Sequence, residues 1–288
     1  MRIDRATVDL ADADLPSLEG GDSDRRRYQR IDALEQLDEG TARLAAAVAR
    51  FDIDAGHLDG IRIGASADLG YAAVSPDVCA AFSKALAILD SCGAQVTMDG
   101  PGLDPDILEH TLKPIAFTEQ AAAVATRTSA DLASSEADYR HIVGAGRRYS
   151  GTDYIEASYR RGQARSAFVK LFERVDALVT PTVAVTAFEA GQIGVDMIDG
   201  KKVDPHLGWS PFTWPINLAG LPAATLPCGF DRDGMPIGLQ IIAPWLDEPT
   251  IFRIAAAFEQ AQPWAKFWPQ VALRSSTSER AGGAKIPL

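Results

Sequence analysis

The sequence predicts an α/β fold, and three stretches predict it. Residues 60 to 100 read strand, helix, strand. Helical patterns run through about 105 to 127 and 152 to 174. Strand signals then recur at 176 to 185 and after residue 215, closed by one more helix.

Each element has a local reason. "GIRIGAS" alternates β-branched residues as a strand does, and Ser75 followed by Pro76 is a helix start. Val78, Phe82, Leu86 and Leu89 give that helix its buried stripe, and Gly93 stands where a C-terminal cap belongs. "AQVTMDG" completes a β-α-β unit, whose strands should be parallel. Tyr154, Ala157, Ala164, Phe168, Leu171 and Phe172 form the apolar side of the 152 to 174 helix. "DALVTPTVAV" is a strand running into Pro181, and 186 to 208, with its "DGKKVD" turn, reads as a surface excursion. "PINLAGLPAATLPCGF", residues 215 to 230, reads as two short apolar strands broken by Gly220, Pro222 and Pro227, a shaped turn pressed against something else. "GMPIGLQIIAP" gives a further strand, and "DEPTIFRIAAAFEQ" a helix beginning at Asp247 or Glu248.

The ends read differently. Residues 1 to 24 are acidic and aperiodic, as in a mobile arm, and 25 to 51 suggest one kinked amphipathic helix or two short ones. The division expected is therefore 1–59, unassigned; 60–270, the α/β region; and 271–288, a disordered tail.

Composition narrows the function. A chain of 288 residues with 47% hydrophobic content supports one or two globular domains. A net charge of -11 argues against a nucleic-acid surface, which needs clustered Lys and Arg. Cys79, Cys92 and Cys228 are odd in number and lack metal-ligand spacing, which fits a reducing cytoplasm without a disulfide framework. No apolar run approaches the 18 or so residues of a membrane span, and the first 30 residues are too charged for a signal peptide. His57, His110, His141 and His206 are scattered and read as surface or capping residues.

Motifs for nucleophilic catalysis are missing. "GASAD" lacks the last glycine of a nucleophile elbow, and Ser83 and Lys84 leave a helix in different directions. Cys228 in "LPCG" invites comparison with a nitrilase-like thiolate, but Leu226 and Phe230 beside it favour a packed structural cysteine.

In order and spacing, "DALVTPT", "PINLAGLPAATLPCGF", "DGMPIGLQIIAP" and "AAAFEQAQPW" resemble the C-terminal half of the amidase signature family; so does "GIRIGAS" followed by a helix and "CGAQV". The likeness covers about residues 60 to 270. It implies an α/β/α sandwich on a mixed sheet, and hydrolysis of carboxamide C–N bonds by two serines and a neutral lysine, with no cofactor. Some members are the amidase-like components of aminoacyl-tRNA amidotransferases.

The family places its lysine, and the serines of a GGSSGGS-like stretch, in the N-terminal half. Residues 1 to 59 hold Ser17 and Ser23 but no lysine, so no catalytic residue can be transferred to this chain. For substrate binding the resemblance points to Arg140, matching an arginine that in the transamidating relatives holds the donor's carboxylate; the alternative is a solvated arginine pairing with Glu136 or Asp138. Ser210 stands where glutamine-using relatives carry an aspartate, which counts against glutamine. Trp209, Phe212 and Trp214 are candidates for core or for an apolar pocket wall. Gly220 and Pro222 either shape a turn or let backbone pass close to a bound amide.

Two expectations follow. One is an amide-cleaving enzyme's substrate half, inactive alone or part of a split enzyme, whose open sheet edges need a complementing catalytic subunit or a second copy. The alternative is a non-catalytic binding or scaffold protein that keeps the cleft.

Overall fold

In the computed structural model the chain divides between Asp52 and Ile53. The structure describes residues 57–125, 135–264 and 267, all in the second part. The acidic arm, the helical segment at 25 to 51 and the tail after 271 lie outside the described residues. Leu58, just before the expected boundary, is fully buried in the core.

Strand β1 (Arg62–Ala65), helix α1 (Pro76–Ser91) and strand β2 (Gln95–Met98) form the predicted unit, with β1 and β2 parallel and Ile63 opposite Val96. The predicted cap is made: Val78 N donates to Ser75 Oγ at 3.4 Å, and Pro76 occupies the first turn, where its missing N–H costs nothing. Gly93 turns the chain at φ +98°, a conformation that favours glycine.

A π-helical turn (Leu108–Leu112) runs into helix α2 (Lys113–Ala123), and helix α3 (Ala137–Gly146) begins the arginine cluster. Helix α4 (Gly151–Phe172) opens on a reciprocal cap, Asp153 N to Ser150 Oγ at 3.1 Å and Ser150 N to the Asp153 carboxylate at 2.7 Å. After β3 (Ala177–Pro181) the surface excursion contains a small hairpin, β4 (Met197–Ile198) and β5 (Lys201–Lys202). Asp199 and Gly200 turn it at positive φ, as a tight two-residue hairpin requires.

The stretch read as two strands is corrected. Trp214–Ala219 is a short helix, α5, and only Ala223–Phe230 is a strand, β6. Pro215 sits in the first helical turn, where proline is tolerated, and Gly220 takes the left-handed conformation that ends the helix. The punctuation therefore bounds a helix instead of forbidding one. Strand β7 (Pro236–Ile242) and helix α6 (Glu248–Ala261) complete the described region.

The sheet runs β2-β1-β3-β7-β6, with β1 parallel to β2 and β3, and β7 antiparallel to β3 and β6. Side chains alternate across it. Ile63, Val179, Leu239 and Ile241 pack with Phe82, Leu89, Ile254 and Phe258 on one face. Leu178 and Ile242 pack with Phe168, Leu171 and Phe212 on the other. This is the expected α/β/α layering on a mixed sheet. Its outer strands are β2, whose Met98 is 70% exposed, and β6, which carries a register shift between Pro227 and Gly229. Among the described residues no helix is long and apolar enough to cross a membrane.

Cys228 lies in the first of these cores at 3% exposure, and burial pushes its thiol up to about 12. A thiol so protonated is a poor nucleophile. Iodoacetamide at pH 8 should leave Cys228 unmodified in the native chain and alkylate it in urea, with mass spectrometry as the readout. Native alkylation at the unfolded rate would contradict this.

Candidate functional site

The residues singled out around 204 to 220 lie on a segment whose backbone is held from several directions. Asp204 begins it: its carboxylate accepts from His206 N at 2.9 Å and Leu207 N at 2.8 Å, and takes Lys113 Nζ from the start of α2 at 2.7 Å. Four consecutive carbonyls then find separate donors. Trp209 O accepts from Ala184 N at 2.9 Å, and Ser210 O from Thr213 Oγ1 at 3.2 Å. Pro211 O accepts from Tyr71 Oη at 2.7 Å, and Phe212 O from Gln240 Nε2 at 2.9 Å. Gln240 also donates to Thr180 Oγ1 at 3.1 Å. Buried carbonyls are costly unless paired, so this backbone is fixed in place by β7, the strand β3 extension and the loop after β1.

The electrostatics support the same geometry. Burial works against ionised Asp204, but Lys113 and the two backbone N–H groups outweigh it and hold the carboxyl below its ordinary value. Burial also opposes the Lys113 charge, and Asp204 and Glu109 more than offset it, so this amine is held as an ammonium. Burial raises Tyr71, keeping its phenol a donor near neutral pH.

The structure places the sequence candidates as follows. Trp209 is half-buried, its Nε1 donating to His206 O at 2.9 Å and its ring edge-on to Phe188 at 5.8 Å. Ser210 is buried, its hydroxyl 3.4 Å from Leu207 O. Phe212 is fully buried in the core, and Trp214 lies next to Tyr71 with ring centroids 6.2 Å apart. Gly220 is the left-handed cap of α5, where Arg165 Nη1 reaches the neighbouring Ala219 carbonyl at 2.9 Å. Arg140 lies on α3, exposed, its guanidinium donating to the Ser135 carbonyl.

Trp209, Ser210 and Phe212 are therefore parts of one clamped segment. Gly220 stands at the far end of α5, roughly 9 Å along its axis. Arg140 approaches through its neighbour, because the His141 ring stacks on His206 at 5.8 Å and ties α3 to the segment. None of the five lines either cavity along α4. Sequence reasoning missed Tyr71, Lys113, Asp204 and Gln240. Gln240 had a signal, one polar residue inside the otherwise apolar "GLQII". Among the described residues, no three His, Cys, Asp or Glu side chains could together hold a metal ion.

Residues 51–252 match the family described as Amidase. The chain belongs to the amidase family. This amidase-family chain is 33% identical over 241 residues to a glutamyl-tRNA(Gln) amidotransferase subunit from Thermosynechococcus vestitus, covering 74% of the chain and 48% of that relative. The protein of the same description from Trichodesmium erythraeum is 31% identical, with 73% and 47% covered. A solved 6-aminohexanoate cyclic dimer hydrolase superposes with a TM-score of 0.60 at 26% identity, over 72% of this chain and 46% of the other. A bacterial aryl acylamidase of the amidase signature family superposes at 0.66 and 24% identity, over 73% and 45%, a likeness of fold. The chain spans about half the length of the curated relatives it matches.

Proposed function

We propose that this chain carries the substrate-cleft half of an enzyme acting on carboxamide C–N bonds, and that the attacking serine and its lysine base are supplied from outside the described residues. Family membership supports the reaction class. The observation that carries the division of labour is Lys113. It is a lysine paired with the clamped segment, and a lysine acting as a base must be neutral, whereas Asp204 and Glu109 stabilise it charged. Arg140 serves in this reading as a carboxylate contact, Trp209 and Phe212 as wall and support, and Gly220 as the turn beneath the cleft. Ser210 offers a neutral hydroxyl, so the amide is one without an ammonium group to grip. Among the described residues β2 and β6 pair on one side only, and their other edges are where a complementing chain or a second copy would continue the sheet.

The test is to incubate the purified chain with benzamide and with a serine-directed fluorophosphonate. Neither hydrolysis nor labelling is expected. Hydrolysis is expected once a polypeptide carrying the lysine and two serines is added. A fluorophosphonate-labelled serine in the chain by itself would sink the proposal.

A further inference from the structure

A second feature lies away from the clamped segment. Between α4 and residues 102–111 is a chamber of about 200 Å³, walled by Leu103, Ile107, Ala164 and Ala167. It shares Gly102, Gln163 and Ala167 with an open groove of about 840 Å³ that continues along α4 toward Lys170. The chamber is smaller than the roughly 300–1,000 Å³ of a drug-sized pocket, so its occupant is a molecule of about ten non-hydrogen atoms.

The polar side chains on this chamber are Asp104, Thr111, Arg160 and Gln163, and two of them bear on what it would hold. Thr111 lines it at 1% exposure, and no hydrogen bond of the described residues takes up its hydroxyl. A hydroxyl facing the chamber without a protein partner is left to water, so the chamber suits a guest with a hydrogen-bonding atom that replaces that water. Thr111 belongs to the π-helical turn, a distortion found often at binding and catalytic sites. Lys113, two residues on, is engaged with Asp204 of the clamped segment, so the turn separates the two features.

Arg160 is the second of the two. It lines the chamber, and its nearest acid is Asp104 at 4.0 Å, with both side chains over two-fifths exposed. An ion pair so long and so wet contributes little, so the guanidinium can turn to a guest carboxylate in two-pronged contact, against the repulsion of the Asp104 carboxylate on the same wall.

We propose that the chamber between α4 and the π-helical turn binds a small organic carboxylate with an apolar body and a polar far end. Arg160 takes the carboxylate, the walls hold the body, and Thr111 bonds the far end. The proposal does not depend on the amide-cleaving reading, since it uses none of its residues.

The probe is 4-hydroxyphenylacetate, titrated calorimetrically into the intact chain. Phenylacetate is the analogue without the hydroxyl, and 4-hydroxyphenylacetamide the analogue without the charge. Saturable binding is expected, with both analogues weaker. Thr111→Val should weaken the probe about fivefold or more and erase its advantage over phenylacetate. Arg160→Gln, on an exposed side chain with no role in the core, should weaken it about tenfold and erase its advantage over the amide. No saturable binding up to about 10 mM, or binding that neither substitution changes, would overturn the proposal.

Discussion

Gln240→Leu should lower the chain's unfolding free energy by about 2–4 kcal/mol, read from the urea midpoint. The substitution roughly conserves volume, so the loss is one of hydrogen bonding. Gln240 is 5% exposed, and its amide serves both the Phe212 carbonyl and the Thr180 hydroxyl. Thr180 keeps its own bond to Pro181 O, whereas Phe212 O is left buried without a donor. A chain that begins with about 5–15 kcal/mol of stability would feel this strongly. The effect should also be local. Ala184 N, which donates to Trp209 O on the same segment, should exchange its hydrogen faster in the variant. A midpoint within error of the parent, with Ala184 still protected, would mean the segment is held by its other bonds alone.

Gly146→Ala is expected to cost about 2–4 kcal/mol, although alanine is the better helix former. A Cβ at Gly146 would overlap the Phe117 carbonyl of α2, and a backbone atom cannot rotate aside. Relief requires α3 to move off α2, taking Arg140 and the His141–His206 stack with it. The control is two residues away. A Cβ at Gly144, on the same helix, meets nothing within 4 Å, so Gly144→Ala should stabilise by about 0.5–1 kcal/mol. Thermal melts of the two variants should therefore shift in opposite directions. Shifts of the same sign would show that helix propensity, and not the α2–α3 approach, decides both.

These two glycines look alike in the sequence. Both stand in "IVGAGRR", and nothing local distinguishes the one pressed on a neighbouring carbonyl from the one facing open space. The strand-helix-strand unit was legible because its determinants sit within a few residues of each other: β-branched alternation, Ser75 before Pro76, Gly93 after the last turn. The segment at 215 to 219 misled because proline's effect depends on position, breaking a helix in its interior and suiting its first turn. Here Pro215 falls in the first turn of Trp214–Ala219, and the segment leading into it is tied to a distant strand. Three residues before Pro215, the Phe212 carbonyl is held by Gln240 of β7.

The amino-acid order by itself determined the α/β class, the β-α-β unit, the inert environment of Cys228 and membership of an amide-acting family, since each follows from local periodicity or from motifs in register. Tertiary structure alone decided the clamped carbonyls, the Lys113–Asp204 pair and the chamber beneath Thr111. Those partners lie far apart along the chain, Tyr71 from Pro211 by 140 residues and Lys113 from Asp204 by 91. A hydrogen bond depends on distance and angle in space, and only the packed sheet brings such groups within about 3 Å of each other.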